Sequence, residues 1–261
     1  MLWTSVVVFY VAVLGTTAGC GGGDSTTSAV VANVGSTKIT KAEVNHWMGT
    51  LAGGDFYEVA HAHTIPAGLV SEPANYAACV TRLEAAAASA KTAKAPTSAE
   101  LLSKCRQLNR ALKQQAIAYL VEADWIIALA AEEGVTARDQ EIKQLYGRIK
   151  AEEFPTESKL KQFLSAHRRT LADELFVVKL DVLREKLSHK LTAGGKPTLI
   201  KLTEDGQRWT AKTSCSQGYV APHCKQFTGA STTGSLPSPA VLLEQVAAIT
   251  GVQCVNRLAC A

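Results

Sequence analysis

The chain has 261 residues, of which 47% are hydrophobic, 19% charged and 6% aromatic, and it carries a net charge of +4. This is an ordinary globular composition with length for one domain or slightly more, and its abundant alanine favours helices over sheets. No block of Lys and Arg stands out, so nucleic acid is not an expected partner.

The first nineteen residues carry no charged side chain, and Leu2 to Leu14 form a nearly continuous apolar run. A membrane-spanning helix needs about 20 such residues, so this run reads as a secretory leader. It ends in Ala18-Gly19-Cys20. That ending resembles a bacterial lipobox, with Thr17 where Leu, Val or Ile is usual. The resemblance implies a lipid on Cys20 and an anchor to the outer face of the bacterial cell membrane. A plain cleaved leader with Cys20 as a free thiol is the alternative. Residues 1–19 are thus assigned as leader and 20–29, rich in Gly, Ser and Thr, as a flexible tether.

Val30, Val31, Val34 and Ile39 flank Gly35-Ser36 and predict a short extended pair. Thr40 and Glu43 then form a capping box, followed by Val44, Trp47, Met48 and Leu51 at helical spacing. Gly53-Gly54 ends that helix, and 55–76 read as irregular. A second helix is predicted over 75–91 and carries Cys79.

Thr97 and Glu100 open the strongest helix of the chain. Its apolar periodicity runs through Cys105, Leu112, Leu120, Trp125 and Leu129 to Gly134. A helix that long predicts the spine of an elongated body. Thr136 and Asp139 are expected to cap a further helix, Leu160, Phe163 and Leu164 to mark a short one, and Thr170 and Asp173 to cap the last long one.

The pattern V-A-x-V-G-x-x-x-I-T-K-A-E-V-x-x-W-M at the start resembles the opening of the SurA/PrsA-like foldases. So does the succession of a long helix, a Gly-Val-Thr turn, F-P-x-E-x-x-L-x-x-F-L and L-x-x-x-L-F-x-V-K-L-D-V-L-R-E-K-L. These foldases are exported chaperones that usually carry a parvulin-type prolyl isomerase domain. The resemblance covers about residues 30–191 and implies an all-α, elongated, SurA N-terminal-like helical domain over 30–195. A tail with a small cysteine loop occupies 196–227, resembling the segment that follows the parvulin domain in actinobacterial relatives. A linker and short terminal segment occupy 228–261. About seventeen residues separate Leu191 from Trp209, whereas a compact domain needs about 40, so no parvulin domain is expected.

The resemblance therefore implies a membrane-tethered, ATP-independent chaperone that holds unfolded exported polypeptides and is not an enzyme. The alternatives are a foldase with residual isomerase activity and a surface scaffold that docks one partner. Trp47, Trp125 and Phe176 are the candidate client-binding aromatics. At helical spacing each could equally be core. Lys143, Arg148, Lys150, Lys159 and Lys161 would form a charged rim.

Seven cysteines are present. With Cys20 set aside, Cys79, Cys105, Cys215, Cys224, Cys254 and Cys260 remain, which in an exported chain suggests disulfides of open connectivity. Proximity favours Cys79–Cys105, Cys215–Cys224 and Cys254–Cys260. His46, His61 and His63 lack the spacing and companions of a metal site. No catalytic, nucleotide or cofactor fingerprint occurs, so neither catalytic residues nor cofactors are expected.

Overall fold

The computed structural model describes residues 29–53, 69–70, 73–89, 96–192 and 199–228. It is mostly helical with a small sheet. Strands β1 (Val30–Val34) and β2 (Thr37–Thr40) lead into helices α1 (Lys41–Gly53), α2 (Tyr76–Ser89), α3 (Ser98–Glu132), α4 (Asp139–Glu153), α5 (Glu157–Ala166), α6 (Leu171–Thr192) and α7 (Leu199–Lys212). Strand β3 (Thr213–Cys215) follows directly.

The all-α expectation needs one amendment. The predicted extended pair is two-thirds of an antiparallel sheet of order β2-β1-β3. β1 and β2 join through Gly35 at φ 58°, a left-handed turn that favours glycine. β1 then pairs on its other side with β3, placing Ala32 opposite Cys215 and Val34 opposite Thr213. The Gly35 N–H donating to the Lys212 carbonyl at 3.0 Å and the Ser216 N–H donating to Val31 at 2.8 Å extend that seam. The segment 199–228 is therefore packed into the body. Its loop residues Ala221 and Cys224 share the core with Val31, Val44, Trp47, Leu112, Ile117 and Trp125.

The helices begin where the caps direct. The Thr40 N–H donates to Glu43 at 2.6 Å and the Glu43 N–H returns to the Thr40 hydroxyl at 3.3 Å. Thr97 and Glu100 repeat the device at α3, and Thr170 and Asp173 at α6. At α4 the expected Thr136–Asp139 cap is not used. Arg138 is the cap residue, its N–H held by Glu141 at 2.8 Å and its guanidinium paired with the same carboxylate at 2.7 Å. The Thr136 carbonyl instead accepts from Lys186 on α6.

α3 runs 35 residues, about 52 Å at helical rise. α1 packs on it beside the sheet, α2 lies against its N-terminal half and α6 against its C-terminal half. Two disulfides pin the assembly. Cys79–Cys105 joins α2 to α3 with a Cα separation of 6.1 Å. Cys215–Cys224 joins β3 to the following loop at 5.8 Å. Structural disulfides belong to oxidising compartments, which gives this chain an extracytoplasmic location. Cys20, Cys254 and Cys260 lie outside the described residues, as do the leader, residues 20–28 of the tether and 229–261. No helix among the described residues is long and apolar enough to cross a membrane.

Candidate functional site

Trp47 of α1, Tyr119 of α3 and Phe176 of α6 meet where the three helices converge. Ring centroids lie 4.6 Å apart for Trp47–Tyr119 and 5.8 Å for Trp47–Phe176. Trp47 is 7% exposed and Trp125 3%. Trp125 further donates its indole N–H to the Thr213 hydroxyl at 2.8 Å. Both tryptophans are core residues, which corrects the expectation that they face a client. Helical spacing identified the apolar face of each helix. What covers that face comes from partners far away in sequence. Phe176 is half-buried and keeps an accessible edge.

A belt of charged pairs surrounds this aromatic junction. His46 of α1 contacts Asp173 at the start of α6, Nε2 to Oδ1, at 2.7 Å. Burial works to raise the Asp173 carboxyl, but bonds from the Thr170 N–H and hydroxyl and from His46 outweigh it and hold the group below its ordinary value. Arg169 pairs with the buried Glu174 at 3.1 Å. Arg184 bridges Glu122 of α3 at 3.1 Å and Asp181 at 2.9 Å. Burial pushes the Tyr119 phenol upward, so it stays protonated. These pairs lock α1, α3 and α6 in register, because losing one partner would strand a buried charge.

The lobe made by α4, α5 and the start of α6 is covered less completely. Only Ile149 and Leu160 of α4 and α5 are fully buried. Ile142, Leu145, Tyr146, Phe154, Phe163 and Leu164 are only partly buried. Leu171 at the head of α6 is 49% exposed, the largest exposure among the large apolar side chains described. Phe154 and Phe163 lie with centroids 4.9 Å apart, and Phe163 meets His167 at 4.3 Å. Lys143, Arg148, Lys159 and Lys161 stand exposed, and Lys150 pairs with Glu157. The apolar layer of this lobe is thus only partly covered, and the basic residues singled out from the sequence lie on the same two helices, α4 and α5.

A third feature had no signal in the sequence. The loop after β3 carries His223 at φ 80°, its ring 4.9 Å from Trp125. Burial drives the His223 pKa down to about 4. On α3, burial and then the nearby Glu43 raise the Asp124 carboxyl to about 6. Both shifts make the protonation of these groups depend on folding, so both bear on stability.

His61 and His63 lie outside the described residues. Among those described, no group of three His, Cys, Asp or Glu side chains could hold a metal ion. Of the residues singled out from the sequence, the structure gathers Trp47, Phe176 and His46 at one junction and places Trp125 at another. No protein-family model, no curated protein and no solved structure matches this chain.

Proposed function

We propose that the chain is an extracytoplasmic, ATP-independent chaperone, tethered to the membrane through Cys20, that holds unfolded exported polypeptides. The observation that supports this reading is the partly covered apolar layer of α4, α5 and the head of α6, with Phe154, Phe163, Leu164 and Leu171 at its surface. Apolar surface of that kind takes up exposed side chains of a client weakly and reversibly, which slows aggregation. The layer replaces Trp47 and Trp125 as the place where a client would be held. The SurA-like ancestry and the lack of an isomerase domain belong to the same proposal. In its favour, residues 199–208, where part of such a domain would have to start, are helical and lead straight into β3.

The test is light scattering of a denatured client with the full chain added, alongside a protease-coupled prolyl isomerisation assay. Scattering is expected to fall and isomerisation to proceed at its uncatalysed rate. Leu171→Ser removes an exposed apolar group without touching the core, so it should weaken holding while leaving the melting temperature in place. Scattering that ignores the protein at several-fold excess overturns the chaperone reading. The scaffold reading then stands, which the closed aromatic junction at Trp47 favours.

A further inference from the structure

Helix α3 carries its charges unevenly. From Leu101 to Val121 it holds Lys104, Arg106, Arg110 and Lys113 and no carboxylate. From Glu122 to Glu132 it holds Glu122, Asp124 and Glu132 and no cation. Arg106, Arg110 and Lys113 stand at i, i+4 and i+7, so they share one flank and form a stripe about 10 Å long.

Arg106 and Arg110 are exposed and Lys113 is half-buried. None of the three joins an ion pair among the described residues, all of which form elsewhere. The acidic side chains at the hairpin tip are already engaged: Ser98 donates to Glu84 at 2.9 Å, and Thr97 donates to Glu100. Like charges at i, i+4 work against a helix, so stability does not account for the stripe.

The surroundings are preformed. Cys79–Cys105 staples α2 to α3 one residue before Arg106. On the other side, Lys113 lies over the Tyr219 ring at 5.0 Å and Gln114 donates to the Val220 carbonyl at 3.3 Å. That fixes the loop that also carries the exposed Lys225.

We propose that this stripe is a docking surface for an anionic phospholipid bilayer. The flank offers charge without apolar capture. Ser103, Gln107 and Ala111 are its exposed neighbours, and the strongly exposed large apolar side chains, Val30 and Leu171, belong to other elements. An unfolded peptide needs apolar contact as well as charge. A plane of anionic headgroups needs only a straight, accessible row of cations. The inference goes beyond the chaperone reading, which places clients on the α4–α5 lobe.

The test measures binding of the full chain to phosphatidylcholine vesicles and to vesicles with about 30% phosphatidylglycerol. The first nineteen residues carry no charge, so the ratio of the two affinities isolates the charge-dependent part of binding, and the stripe variants assign that part to these three residues. The ratio is expected well above one and to fall toward one in about 0.5 M salt. Arg106→Glu, Arg110→Glu and Lys113→Glu together should lower it by more than about 100-fold, the drop expected for losing three surface cations alone. If that variant misfolds, as judged by circular dichroism, the triple Gln variant takes its place with a smaller drop in the same direction. A wild-type ratio near one, or a folded variant that keeps the wild-type ratio, overturns the proposal. Stripe-dependent binding to polyglutamate without preference for the anionic vesicles overturns it in favour of an acidic peptide.

Discussion

His223 and Asp124 make opposite contributions to acid stability, and substituting them one at a time separates the two. The His223 pKa falls from the ordinary 6.5 to about 4, because the ring is buried against Trp125. The unfolded chain therefore takes up this proton first as pH falls, and stability drops between pH 6.5 and 4 and then levels off. The difference in pKa corresponds to about 3 kcal/mol. Asp124 moves the other way, from 3.8 to about 6. Its folded form gains the proton first, so stability rises as pH falls through 6 and levels off below 3.8. Asp124 is in partial contact with solvent, which screens the effect and reduces it to about 1–2 kcal/mol.

His223→Asn keeps a residue that tolerates positive φ and removes the titration. Urea unfolding between pH 7 and pH 4 should then show a variant that gains about 3 kcal/mol relative to the wild type as the medium is acidified. Asp124→Asn should instead lose ground relative to the wild type over the same range. If the His223→Asn difference from wild type is the same at pH 7 and pH 4, the ring is not buried as neutral imidazole and the reasoning fails.

Two further outcomes bear on the core and its staples. Replacing Cys79 and Cys105 by alanine opens a link of sequence separation 26. It should lower unfolding stability by about 3–4 kcal/mol, read from the same urea curves, and an unchanged midpoint would contradict it. Leu112 is fully buried at the heart of α3. Leu112→Ala should lower stability by about 2–5 kcal/mol, and a loss below about 1 kcal/mol would mean that α1 and the sheet do not pack there.

Local chemistry made much of the helical framework readable from residues alone. Thr40, Thr97 and Thr170, each with an acid three places on, open helices where expected, because the cap and its partner are close in sequence. Thr136 and Asp139 have the same form and failed. Glu141 serves Arg138 more strongly, pairing with both its N–H and its guanidinium, and its own pKa drops to about 2 through those bonds and one from Lys186. β3 was not readable, since three residues, Thr213 to Cys215, acquire strand geometry only by pairing with β1 across the whole chain. α7 was hidden in a segment read as tail. The burial of Trp47 was equally beyond reach, because its cover comes from Tyr119 and Phe176 on two other helices. At the candidate site, the basic residues of α4 and α5 could be anticipated, while the partial exposure of Phe154 and Phe163 depends on how α4, α5 and α6 stack.

The order of strands in the sheet sets a timetable for the maturing chain. β1 is the first of the described elements to be synthesised, yet it lies at the centre of the sheet with one neighbour drawn from beyond residue 212. Its second edge has no partner until Thr213 to Cys215 have followed. Such a distant pairing is slow to form, since the intervening loop must close first. The hairpin of α2 and α3 is under no such delay and can be oxidised at Cys79 and Cys105 while the C-terminal portion is still in transit. The body therefore zips shut from its last segment, with Cys215–Cys224 as the closing stitch.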